Sequence, residues 1–242
     1  MLADRISQLT PSATLSLNAK VKQLQNQGLP VINLTVGEPD FEPPEILKQA
    51  LMATASQDCH HYTPVSGNFQ LRQVIAKRYF DTYQVQYQPD SIIVSTGAKQ
   101  VLYNALASLV NPGDEVIVYT PTWSTYIEQI KLLQGVPVLI TLEPPFQLTA
   151  AHLESKITSK TKAIILNHPH NPTGQIISLI ELQNIAKLAK KYGFWIISDE
   201  IYESIVFDNQ KHYCLSALDE AIQEQCIIAV SYTHLRAHET PE

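Results

Sequence analysis

The sequence contains no long apolar run, no clustered cysteines and no clustered basic residues. No segment approaches the ~20 apolar residues of a membrane-spanning helix, and residues 1–10 lack the apolar core of a signal peptide. The three cysteines, Cys59, Cys214 and Cys226, have neither metal-site nor disulfide spacing, and an odd number of thiols is typical of a reducing compartment. With a formal net charge of −6 and no Lys/Arg cluster, the chain offers no surface for nucleic acid. We therefore expect a cytoplasmic protein that binds neither membranes nor nucleic acids.

Several common catalytic motifs are also missing. No Gly-x-Gly-x-x-Gly follows a predicted strand, which argues against a dinucleotide site, and no serine occupies a nucleophile elbow. His168 and His170 flank a proline, while His60 and His61 lie far away in the sequence. Because nothing identifies a further ligand, no metal site is predicted.

The residues that are present predict a globular α/β fold. The composition is 45% hydrophobic and 17% charged, which is far from that of a disordered chain. Short apolar runs alternate with segments of helical periodicity, so we predict a mostly parallel sheet with helices on both faces. The predicted strands are residues 31–34, 91–95, 115–119, 136–141, 163–166, 194–198 and 226–230, and the predicted helices are 12–27, 43–56, 69–83, 98–109, 123–135, 150–156 and 178–192.

The segment 162–202 predicts one complete strand–helix–strand unit. Ser178 followed by Glu181 indicates a capping box at the start of its helix, and Gly193 suits the end of that helix. Open parallel sheets bind ligands beyond the carboxyl ends of their strands, where Asp199 lies in this unit. Asp199 could serve a ligand, or it could simply cap the turn that follows.

Polar and aromatic residues follow other predicted strands in the same way. The turn Gly97-Ala98-Lys99 runs into a helix whose N–H groups could bind phosphate, although such turns also occur for packing alone. Trp123 could be an aromatic plate or a core residue. With Asn171, and with Asp199 and Tyr202, these residues should gather at one sheet edge. Together they suit a flat, phosphorylated nitrogen heterocycle whose ring nitrogen faces a carboxylate.

The chain resembles the N-terminal part of a class I/II aminotransferase of pyridoxal-phosphate fold type I, near the aspartate and aromatic aminotransferase branch. The resemblance covers residues 12–230 and rests on an ordered set of motifs: VGEPDF, HYTPVSG, STGAKQ, NPGDEVIV, PTW, HPHNPTG and SDEIYE. It implies an enzyme that moves an amino group between an amino acid and a 2-oxo acid, using pyridoxal 5'-phosphate. A carbon–sulfur lyase of the same fold shares part of the HPHNP loop and stays as a minor alternative.

The resemblance also implies residue roles. Gly97, Ala98 and Lys99 would hold the cofactor phosphate, Trp123 would stack on the ring, Asn171 and Tyr202 would bond its 3-oxygen, and Asp199 would pair with the pyridine nitrogen. Asn171 and Gly37 would lie near the substrate carboxylate. Tyr62 would reach the phosphate of a neighbouring subunit, which implies a homodimer.

The resemblance breaks near the end of the sequence. Counting from Val230, the lysine that forms the Schiff base should fall at position 235, where this chain has Leu235. We expect residues 1–42 to form an N-terminal arm and part of a small domain, 43–230 a truncated cofactor-binding domain, and 231–242 a non-native tail. The 242-residue chain is then expected to be inactive by itself, and a non-catalytic cofactor-binding or scaffold module is the alternative from a different class.

Overall fold

The computed structural model describes residues 3–7, 9–10, 13–35, 37, 42–55 and 61–231. Leu235, His60, Cys59 and every residue of the VGEPDF motif except Gly37 lie outside the described residues. The predicted domain boundaries stay predictions.

The described chain alternates strands and helices from residue 98 onward. The helices are α1 (Asp4–Ser7), α2 (Ala13–Asn26), α3 (Glu45–Ala55), α4 (Phe69–Tyr83), α5 (Ala98–Leu109), α6 (Thr125–Leu132), α7 (Ala150–Glu154), α8 (Leu179–Tyr192) and α9 (Glu220–Gln223). The strands are β1 (Glu115–Thr120), β2 (Val136–Thr141), β3 (Thr161–Asn167), β4 (Trp195–Asp199) and β5 (Cys226–Ala229), and short 3₁₀ turns cover Pro89–Ser91 and Leu215–Ala217.

The five strands form one parallel sheet in the order β2-β1-β3-β4-β5. Its three central strands, β1, β3 and β4, are the most buried, because strands in the middle of a parallel sheet are covered by helices on both faces. The predicted α/β class with a parallel sheet is confirmed.

Helices cover both faces of this sheet. Ile117 and Ile164 point towards α8, where they pack with Leu182 and Ile185 in one core cluster. The alternate strand residues form a second cluster with α5 and α6, which includes the fully buried Leu102. Burying one such side chain stabilises the fold by about 1.5–3 kcal/mol. The two clusters hold the strand ends in a fixed arrangement.

Two predicted strands are absent from the described structure. Residues 31–34 form no strand, and Ile32 and Leu34 are 86% and 89% exposed. Residues 91–95 begin within a 3₁₀ turn, and Val94 makes an isolated backbone hydrogen bond to the carbonyl of Ser66 at 3.0 Å. Both segments contain residues that favour strands. Neither pairs with a described strand, and such residues form a strand only where a neighbouring strand is present to pair with them.

The cap predicted for α8 forms only in part. The Ser178 hydroxyl accepts from the Glu181 N–H, and Gly193 ends the helix at φ 74° as expected. The Glu181 carboxylate, however, accepts from the Ala150 N–H at 2.6 Å and so caps α7 instead of completing the box. Glu181 therefore ties α7 to α8, a tertiary contact that competes with the local one.

No helix in the described part of the chain is both long enough and apolar enough to span a bilayer.

Candidate active site

The carboxyl ends of the central strands meet at one edge of the sheet. Asn167 ends β3 and pairs in register with Asp199, which ends β4, while Thr120 ends β1 on the other side of β3. Every strand is parallel, so the loops that follow these residues emerge on the same side. Trp123, Asn171 and Tyr202 lie in these loops.

Asp199 is a buried carboxylate, only 2% exposed. Its Oδ2 accepts a hydrogen bond from the Tyr126 hydroxyl at 2.5 Å, and its Oδ1 accepts from the Ile201 N–H at 3.3 Å. The hydrogen bond from the Ile201 N–H caps the following turn, and it occupies only Oδ1 of Asp199. Burial raises the pKa of Asp199 from 3.8 to about 6, and no salt bridge offsets this among the residues described. The site therefore contains a buried anion without a cation.

Asn167 connects the two neighbouring strand ends. Its side-chain amide donates to the Asp199 carbonyl at 3.0 Å and accepts from the Asn171 N–H at 2.7 Å. The hydroxyl of the buried Tyr119 donates to the Asn167 carbonyl. Asn171 in turn donates from its side chain to the Tyr202 hydroxyl at 3.3 Å. Asn171 is thereby fixed relative to Asp199 at a separation set by the sheet.

The N-terminus of α5 faces open space. Gly97 precedes the helix with φ 92° and ψ 165°, supplies no side-chain cap, and would have no atom within 4 Å of an added Cβ. The first N–H groups of a helix have no partner within the helix, so those at Ala98 and Lys99 can serve an external acceptor. The Gln129 amide holds the Lys99 carbonyl at 2.9 Å, which anchors this end of α5 to α6.

Trp123 stands between the α5 terminus and Asp199. The Lys99 ammonium lies 5.0 Å from the Trp123 ring centroid, and the Trp123 and Tyr126 rings meet edge to face at 5.3 Å. Trp123 packs against the core cluster shared by α5 and α6, yet part of its side chain stays exposed. Both roles considered for Trp123, a core residue and a ring that contacts a ligand, are compatible with this position. An unbroken series of contacts now joins the site: Lys99, Trp123, Tyr126, Asp199, Asn167, Asn171 and Tyr202.

Two of the predicted residues lie outside this series. Tyr62 is fully exposed, and Gly37 is exposed with no atom within 4 Å of an added Cβ. No hydrogen bond or ring contact joins Tyr62 to the edge within the described chain.

Sequence reasoning missed Tyr126 and Asn167, the two residues that connect the others. Tyr126 lies in the first turn of α6, three residues after Trp123, and a second aromatic residue so near a predicted site residue was a usable signal. Asn167 is a polar residue at the end of an apolar strand, which is where a ligand-side residue is expected in a parallel sheet.

A second buried polar cluster lies directly behind Asp199. The fully buried Glu200 accepts from the Ser198 hydroxyl at 2.9 Å and from the Leu215 N–H at 3.1 Å, and His212 Nε2 lies 3.0 Å from its other oxygen. Burial opposes ionisation of Glu200, but the His212 hydrogen bond and the nearby His168 outweigh it, and the pKa of Glu200 is lowered. Burial also lowers the pKa of His168, to about 4. This cluster fixes the loops beneath the site.

Glu200, Glu203 and His212 bring ligand atoms within 4.8 Å of one another, the single such group in the described part of the chain. Glu203 is already paired with Arg78 at 2.5 Å and accepts from the Tyr83 hydroxyl. Both carboxylates have protein partners, so we assign the group a structural role in joining α4 to the loop after β4.

Comparisons with known proteins identify the family of this chain. The family model "Aminotransferase class I and II" matches residues 30–234. The chain is 42% identical over 238 residues to an aspartate aminotransferase of Bacillus sp. strain YM-2, covering 97% of this chain and 61% of that protein. It is 39% identical to a probable aspartate/prephenate aminotransferase of Aquifex aeolicus, covering 92% of this chain and 57% of that protein.

Solved structures show the same likeness. Aspartate aminotransferase from Thermus thermophilus with maleate superimposes with a TM-score of 0.90 at 34% identity, over 95% of this chain and 60% of that one. The chain thus spans about 60% of the length of the relatives it matches. The family match, the sequence likeness and the shared fold establish that this chain belongs to the class I and II aminotransferases.

Proposed function

We propose that this chain is the cofactor-binding part of a pyridoxal 5'-phosphate-dependent aminotransferase acting on an amino acid and a 2-oxo acid. The observation that carries the proposal is Asp199, a buried carboxylate with two hydrogen-bond donors and no cation among the described residues. A buried unpaired charge is costly, so such a group suits a ligand that brings a protonated nitrogen. When bound, the cofactor supplies an electron-accepting ring for breaking bonds at the substrate α-carbon.

The surrounding residues fit the other parts of that cofactor. The uncapped α5 terminus at Gly97, Ala98 and Lys99 would accept the phosphate, since its N–H groups and helix dipole favour an anion. Trp123 would lie against the ring face. The Asn171 amide and the Tyr202 hydroxyl, 3.3 Å apart, would both donate to the ring's 3-oxygen. These donors would draw electron density away from the 3-oxygen and so help the ring to accept electrons.

The substrates and the assembly of the whole protein follow from the same proposal. Relatives named aspartate or aspartate/prephenate aminotransferase favour aspartate as an amino donor. Asn171 and Gly37 would bind the substrate carboxylate. The fully exposed Tyr62 is suited to reach a neighbouring subunit of a homodimer, and the location is proposed to be cytoplasmic.

Catalysis needs a lysine in addition to the residues that would bind the cofactor. Leu235 stands where the resemblance places the lysine that anchors the cofactor and moves the substrate proton. We therefore propose that the 242-residue chain binds the cofactor but does not transaminate. Transamination of aspartate by the purified chain, abolished by Asp199→Ala, would contradict this part of the proposal.

The chain's two tryptophans allow a direct binding test. Trp195 begins β4 and Asp199 ends it, so Trp195 lies about 13 Å from the proposed site, whereas Trp123 lies within it. Pyridoxamine 5'-phosphate is the probe, because it needs no Schiff base. It should quench the fluorescence of Trp195→Phe, which keeps Trp123, and should quench Trp123→Phe much less.

The outcomes separate the candidate functions. An absence of saturable quenching in Trp195→Phe would refute the proposed site. Saturable quenching through Trp123 without any transamination, in a gene confirmed by resequencing through codon 235, would favour the non-catalytic binding module.

A further inference from the structure

Tyr126 contacts Trp123 and Asp199, which we assign to the face and the nitrogen of the cofactor ring, although it lies outside the sequence motifs. It lies in the first turn of α6 and is 2% exposed. Its ring and the Trp123 ring meet edge to face, with centroids 5.3 Å apart and an interplanar angle of 90°. Its hydroxyl reaches Asp199 Oδ2 at 2.5 Å. The Tyr126 side chain therefore connects the Trp123 ring to the Asp199 carboxylate.

The direction of this hydrogen bond is fixed by its surroundings. Burial, reinforced by the charge on Asp199, raises the pKa of Tyr126 well above its usual value, so the hydroxyl keeps its proton and donates. The same bond favours the ionised form of Asp199, which burial otherwise opposes. With the Ile201 N–H holding the other oxygen, the plane of the carboxylate is set by two donors.

No other described hydroxyl occupies an equivalent position. The Tyr119 hydroxyl donates to the Asn167 carbonyl, and the Tyr202 hydroxyl accepts from Asn171. The Asp199 side chain therefore depends on Tyr126 for its only hydrogen bond from a side chain among the described residues.

We propose that Tyr126 is a positioning residue that holds the Asp199 carboxylate and the Trp123 ring in one fixed arrangement for a protonated aromatic nitrogen. This inference rests on the proposed function, because it concerns the same site. Tyr126 acts through its two neighbours: it orients the carboxylate towards the ring nitrogen and keeps that carboxylate ionised. Its contribution is therefore realised only when the ligand ring carries a nitrogen that can be protonated.

The test compares two ligands on the 242-residue protein. One is pyridoxamine 5'-phosphate, and the other is its analogue with the ring nitrogen replaced by C–H. Tyr126→Phe keeps the packing against Trp123 and removes only the hydroxyl. It should weaken pyridoxamine 5'-phosphate binding about tenfold, the scale of one hydrogen bond to a charged group, and should leave the Kd of the analogue within about twofold. An equal loss for both ligands, or no loss for either, would overturn the inference.

Two further variants guard the result against misfolding and general effects. Should Tyr126→Phe fold poorly, 4-methylphenylalanine in place of Tyr126 keeps the full side-chain volume without a donor, and 4-aminophenylalanine restores a donor at the same ring position. The first should lose the preference for the nitrogen-containing ligand and the second should regain it. Tyr87→Phe, which removes a half-buried hydroxyl bonded to Ser216, should change neither Kd.

The wild-type protein and Asp199→Ala distinguish the two proposals. If the wild-type protein binds neither ligand, or binds both equally, the proposed function fails and the role of Tyr126 fails with it. If the wild-type protein prefers pyridoxamine 5'-phosphate and Asp199→Ala removes the preference, the proposed function stands. A Tyr126→Phe variant that then keeps the full preference would refute the positioning role alone.

Discussion

Replacing Asp199 by asparagine should stabilise the fold while impairing the site. Asp199 is 2% exposed, and its pKa rises from 3.8 to about 6 because burial disfavours the charged form. Between these two values the folded state binds more protons than the unfolded state, so the contribution of Asp199 to stability falls as pH rises. Above pH 6 the full penalty is present. A pKa difference of about two corresponds to about 3 kcal/mol.

Asp199→Asn keeps the shape and removes the charge, and with it this penalty: the asparagine oxygen can still accept from the Ile201 N–H, and the Tyr126 hydroxyl can accept from the new amide N–H. We expect the variant to be more stable than wild type by about 3 kcal/mol at pH 7.5 and by about half of that at pH 5. Urea unfolding followed by circular dichroism measures both values. Asp208→Asn, at an exposed aspartate, is the matched control and should change the free energy of unfolding by less than about 0.5 kcal/mol.

Buried histidines affect the wild-type curve in the opposite direction. Burial lowers the pKa of His168 and of His170 from 6.5 to about 4, so the unfolded state binds more protons in that window and stability falls as pH decreases. The difference between variant and wild type cancels this contribution. An Asp199→Asn variant that is less stable than wild type at pH 7.5, or whose advantage is the same at pH 5, would refute the reasoning.

Three further substitutions test other parts of the structure, each by urea unfolding. Gly97→Val should cost about 1–3 kcal/mol because φ 92° is strained for a β-branched residue, and Gly37→Val, at a glycine without a positive φ, should cost less. Leu102→Ala should cost about 2–5 kcal/mol, since the side chain is fully buried between α5 and the sheet; a loss below 1 kcal/mol would mean that this contact is loose. Glu203→Gln should cost about 1–3 kcal/mol by removing the buried charge that pairs with Arg78 and accepts from the Tyr83 hydroxyl, whereas Glu154→Gln, at an exposed ion pair, should change little.

The sequence predicted the parallel sheet because its central strands are continuous apolar runs. Residues 163–166 and 194–198 can be buried on both faces only between two layers of helices, and the structure confirms that arrangement. The predictions for residues 31–34 and 91–95 were wrong for the converse reason. Their residue types suit a strand, but pairing depends on partners elsewhere in the chain, and composition does not show whether a partner is present.

The candidate site was predictable only as a set of strand ends. Parallel topology brings Asn171, Asp199 and Trp123 to one edge, and this follows from the order of strands and helices. The contacts that align them do not follow from that order. Tyr126 reaches Asp199 across 73 positions of the sequence, and this pairing depends on how α6 packs against the sheet. The roles of these residues towards a cofactor stay proposals until binding is measured.

The most direct test of the central claim is the affinity of pyridoxamine 5'-phosphate for the purified protein with and without the Asp199 carboxylate. Isothermal titration of wild type, Asp199→Ala and the exposed-site control Asp208→Ala at pH 7.5 gives the three values. We expect saturable binding to wild type and to the control, and binding at least about tenfold weaker for Asp199→Ala, the loss expected from one charge-assisted contact. Equal affinity of all three proteins would contradict the assignment of this sheet edge as the cofactor site.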